Sequence, residues 1–89
     1  MKEGLLWYEE NHKSLTLPQQ VARAAERYWR KFGVRPDSCY VNSDDLAAHQ
    51  GCDGRTPEEQ RFGCVRVVPA HNVLKHHFWI GIEEREPAG

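Results

Sequence analysis

The run from Thr16 to Phe32, closed by Gly33, constrains this chain more than any other segment. Leu17, Val21, Ala24, Ala25, Tyr28 and Phe32 recur at steps of three and four residues, which places them along one face of a helix. Thr16 followed by Gln19 has the pattern of a capping box, and Pro18 falls in the first turn, where a missing N–H costs nothing. Gly33 supplies the left-handed stop and Pro36 prevents a restart. Val21, Ala25, Tyr28 and Phe32 are therefore expected inside, and Arg23, Arg27 and Arg30 outside.

A helix with one apolar face needs a surface to cover, and the flanking segments supply strands. Leu5 to Tyr8 is a short apolar run. Ser38 to Asn42 alternates, with Cys39 and Val41 on one side and Tyr40 and Asn42 on the other. Ser43 suits the cap of a short helix over Asp44 to His49. Gln50 to Gly63 reads as the longest loop. Cys64 to Val68 and His76 to Glu83 complete the set, with Phe78, Ile80 and Ile82 pointing one way and His77 and Trp79 the other.

The element order is β-α-β-(α)-β-β. It predicts an α+β fold: a mixed four-stranded sheet with one long amphipathic helix on one face. The first two strands are expected parallel through a right-handed crossover, and the last two as an antiparallel hairpin. Residues 1–83 form a single domain and 84–89 a polar tail. At 89 residues the core is thin, and its stability rests on a few large side chains.

A formal net charge of −1 gives no global pull toward nucleic acid or an anionic membrane, and no apolar run approaches a bilayer span. The opening Met1-Lys2-Glu3-Gly4 lacks a signal core, so the expected location is the cytoplasm. Cys39, Cys52 and Cys64 are odd in number and widely spaced, which favours free thiols.

Function is read from the sheet face turned away from the helix. Tyr40, Arg66, His77, Trp79 and one of Trp7 or Tyr8 (Trp7 is the choice here) make an aromatic surface richer than solvent exposure requires. The expected role is a binding domain that self-associates through this face or takes another protein. The alternative inside one chain is cover by the short helix or by the Gln50–Gly63 loop. Base stacking is a weaker match, because Arg66 is the one cation on this face.

Two other chemistries compete. Arg23, Arg27, Arg30 and Lys31, with Arg35 beyond, could contact phosphates of a nucleic acid. His49, Cys52, Cys64 and His71 resemble scattered zinc ligands, but the Cys-x-x-Cys knuckle is missing. Asp44, Asp45, Asp53, Glu58 and Glu59 could hold a divalent cation in a small metal-dependent hydrolase. Helix capping and loop solvation explain the same carboxylates. No catalytic residue, cofactor or metal site is assigned.

Overall fold

The computed structural model describes residues 4–51 and 57–83. Seven elements follow in chain order: β1 (Gly4–Tyr8), α1 (Leu17–Phe32), β2 (Ser38–Asn42), α2 (Ser43–Gln50), β3 (Gln60–Phe62), β4 (Val65–Ala70) and β5 (His77–Gly81). The class is α+β, with two helices on a mixed sheet of five strands ordered β1-β5-β2-β4-β3.

Helix α1 forms as its signals require. The Thr16 hydroxyl accepts from Gln19 N, the Gln19 side chain accepts from Thr16 N, and Gly33 sits at φ 73° with its N–H bonded to Trp29 O. Val21, Ala24 and Tyr28 are buried and Ala25 half-buried, while Arg23, Arg27 and Arg30 are exposed. Phe32 departs from the expected pattern. It is 37% exposed and leans on Tyr28, with ring centroids 4.5 Å apart. A helix of 16 residues runs about 24 Å, whereas a five-residue strand covers about 17 Å, so the last turn overhangs the sheet.

The sheet order corrects the expected hairpin. β5 does not lie beside β4; it enters between β1 and β2, antiparallel to both. β2 and β4 pair in parallel, through a connection that contains α2. A fifth strand, β3, forms inside the expected loop and pairs antiparallel with β4. Three residues are too few for a period of two to stand out from polar loop sequence.

The core lies between the helices and one sheet face. Phe78 and Ile80 of β5, Cys39 and Val41 of β2 and Val65 and Val67 of β4 pack with Leu17, Val21, Ala24 and Tyr28 of α1. Leu46 of α2 is fully buried in the same cluster, so α2 covers the face that α1 covers. The cap of α2 is Asn42 rather than Ser43: its Oδ1 accepts from Asp44 N and Asp45 N. Ile82, expected inward, is exposed, because the ladder ends at Gly81 and no strand flanks it.

Candidate functional site: the open sheet face

Register decides which side chains share the uncovered face. Leu6 lies opposite Trp79 and Tyr8 opposite His77 across β1 and β5, and Tyr40 of β2 flanks Trp79 on the other side. Leu6, Tyr8, Tyr40, His77 and Trp79 therefore stand together, with Val68 and Arg66 continuing the surface on β4. Trp7 is not among them. It pairs with Phe78, packs against the helix-side core, and lies beneath the Arg27 guanidinium at 5.1 Å. The choice between Trp7 and Tyr8 depends on the phase of β1 against β5, which no local pattern carries.

Trp79 reaches across β1 because residue 4 is glycine. A Cβ there would meet Trp79 Cε2 at 2.9 Å and Cζ2 at 3.0 Å, inside van der Waals contact. Among the described residues no helix packs on this face. Leu6 is 56% exposed, and Leu74, in the turn before β5, is 70% exposed. Leu74 forms part of the rim of a concavity of about 590 Å³, lined also by Leu6, Tyr40, Pro69, Val73, His77 and Trp79 among others. Val73 is buried and its carbonyl accepts from Asn42 Nδ2 at 2.8 Å, so one side chain caps α2 and fixes the turn that presents Leu74.

Tyr40, Arg66, Glu83 and His77 on and around this surface have partners within the chain. The Tyr40 hydroxyl donates to Glu83 Oε2 at 2.9 Å, and Glu83 N donates to Asp37 Oδ1 at 2.9 Å. Arg66 Nε lies 3.0 Å from Glu59 Oε1. His77 stacks obliquely on Tyr8 at 4.9 Å, with its Nδ1 2.9 Å from Lys75 O.

Burial, then the hydrogen bond and the negative charge of Glu83, raise the Tyr40 phenol above its ordinary value, against a smaller opposite pull from Arg66. The folded chain therefore keeps a proton that the unfolded chain releases at about pH 10. The Tyr40–Glu83 contribution is complete below that pH and is lost as pH rises through the raised folded value. Tyr40→Phe is expected to cost about 1 kcal/mol at neutral pH. The gap to wild type should then narrow steadily in melting curves taken from pH 9 upward. A gap that stayed constant into strong alkali would exclude the linkage.

The other sequence candidates are dispersed. Arg23 Nε is bound to Glu9 Oε1 and Arg30 Nη2 to Glu26 Oε1, and Lys31 sits over the Phe32 ring at 5.6 Å. Arg35 lines a separate groove beside Trp29 and Phe62. The stripe is therefore not a row of free cations.

His49 packs edge-on against Phe62, and His71 and Cys64 lie exposed in different turns. Asp45 accepts from His76 N, Glu59 holds Arg66, and Glu58 N donates to Gln50 Oε1. Cys52 and Asp53 fall outside the described residues. Among the described residues no group of three or more His, Cys, Asp or Glu side chains is placed to hold a metal. Cys39 and Cys64 are free thiols, and full burial drives the Cys39 thiol far above its ordinary pKa, which removes it as a nucleophile.

Alternation placed Tyr40, Arg66, His77 and Trp79 on the open face, and the structure adds Leu6 on that face, Leu74 beside it and Glu83 bound to Tyr40. Leu6 was hidden by the phase of β1, and Leu74 by its place in a turn. No helix among the described residues is long and apolar enough to cross a membrane. No protein family, curated protein or solved structure matches this chain.

Proposed function

We propose that this protein is a small cytoplasmic binding domain that works by pairing with a second copy of itself through the open sheet face. The observation that carries the reading is a knob and a hole side by side: exposed Leu74 borders the Leu6–Tyr40–Trp79 concavity. A two-fold axis brings each knob to the partner's hole, which is the self-complementarity that an isologous contact needs.

Charge and area support the same occupant. The charges of Arg66 and Glu59 meet inside the chain, Glu83 is hydrogen-bonded by Tyr40, and a net charge of −1 opposes pairing very little. Five strands about 4.8 Å apart and about 17 Å long present roughly 400 Å² in plan. With side-chain relief, two copies bury on the order of 1,000 Å², the lower bound for a specific interface. Aromatic Trp79 and Tyr40 at its centre suit the role of anchors.

Sedimentation velocity from micromolar to near-millimolar protein tests the reading. Wild type is expected to shift from monomer to dimer. Leu74→Glu is expected to weaken association at least tenfold with an unchanged melting temperature, since the side chain is exposed in one copy. A wild-type monomer across the whole range, or a dimer indifferent to Leu74→Glu, would end the proposal.

A further inference from the structure

On the opposite side of the molecule, where α1 passes the β1 edge, Trp7, Arg23, Glu26, Arg27 and Arg30 line a concavity of about 220 Å³. We propose that Arg23, Arg27 and Arg30, set over Trp7, bind one small oxyanion of the phosphate class. The arginines stand at i, i+4 and i+7, on one face of the helix. Three guanidinium groups meet two carboxylates here, Glu9 and Glu26, which leaves one positive charge in excess.

That excess resides on Arg27. Its guanidinium rests on the Trp7 ring and has no carboxylate partner among the described residues. Stacking occupies the flat face of a guanidinium and leaves its in-plane N–H donors for an acceptor. Arg23 engages Glu9 through Nε and Arg30 engages Glu26 through Nη2, so each retains further donors. A group rich in acceptors and carrying negative charge answers both conditions.

Size sets the ligand class. Pockets for drug-sized molecules begin at about 300 Å³, above this volume, while one phosphate fits with its water. The pairing of Arg23 and Arg30 also argues for a single anion at Arg27 over a polyanion laid along the helix.

The assigned indole N–H resonance of Trp7 reports occupancy. Sodium phosphate is titrated against sodium chloride at matched ionic strength on the full chain. Phosphate is expected to give a saturable shift and chloride none. Arg27→Ala, at an exposed position without ionic contacts among the described residues, should fold normally and bind at least tenfold more weakly. Arg27→Lys should fall between, because it keeps the charge and loses the planar fork. The proposal fails if phosphate and chloride behave alike, or if Arg27→Ala titrates like wild type. It also fails if single-stranded DNA binds more tightly as it lengthens, which would mean a backbone track. Self-association is read by sedimentation and is independent of each of these results.

Discussion

Phe78→Ala is expected to remove about 3–5 kcal/mol of stability in a urea titration, the range for emptying a fully buried aromatic site. Phe78 has no exposed surface and sits in the inner strand β5, with Trp7 of β1 and Val41 of β2 on its two sides. The flanking strands cannot close the space, because ladder bonds hold both in register with β5. A domain of this size has about 5–15 kcal/mol in all, so the variant should be largely unfolded at moderate urea. The informative comparison is Phe32→Ala, which deletes the same ring from an overhanging helix turn and should cost about 1 kcal/mol. Equal costs at the two positions would mean that α1 sits differently on the sheet.

Arg23→Met is expected to cost about 2–3 kcal/mol, more than its surface position suggests. Glu9 follows β1 directly and is 1% exposed, with Oε1 against Arg23 Nε at 2.5 Å. Among the described residues its other oxygen accepts only a long 3.4 Å bond from Asn11 N. Removing one member of a buried pair costs about 3–5 kcal/mol, and the half-exposed arginine reduces that by keeping part of its solvation. The double variant Glu9→Gln with Arg23→Met should regain much of the loss, because no bare carboxylate is left inside. A thermodynamic cycle over the four proteins measures the coupling. A coupling indistinguishable from zero would show that water already reaches Glu9.

Local rules made α1 readable to the residue at both ends. Thr16, Gln19 and Gly33 act through bonds that span four residues or fewer, so the information is all in one window. Alternation in β2 and β5 likewise placed Tyr40, His77 and Trp79 on the open face. Non-local facts were out of reach. Strand order depends on which pairings bury most surface, and the phase of β1 depends on β5, some 70 residues away. Glu9 reads as the polar end of a strand, and nothing near it announces that Arg23 returns to meet it. Trp7, chosen over Tyr8 for the open face, faces the core for the same reason: a slip of one residue moves a strand's whole set of side chains to the other face.

The inner position of β5 has a consequence for how the chain acquires its shape. β1 and β2 run in the same direction and never touch as neighbours; the strand that joins them comes 35 residues after β2 ends. Without β5, no strand pairing joins the β1–α1 segment to the β2–β4–β3 ladder. Closing that distance draws on contacts far apart in sequence, which slows a small domain relative to a helical bundle of the same length. A nascent chain halted before His77 would carry two incomplete sheet edges and an uncovered α1 face, the kind of species that chaperones bind.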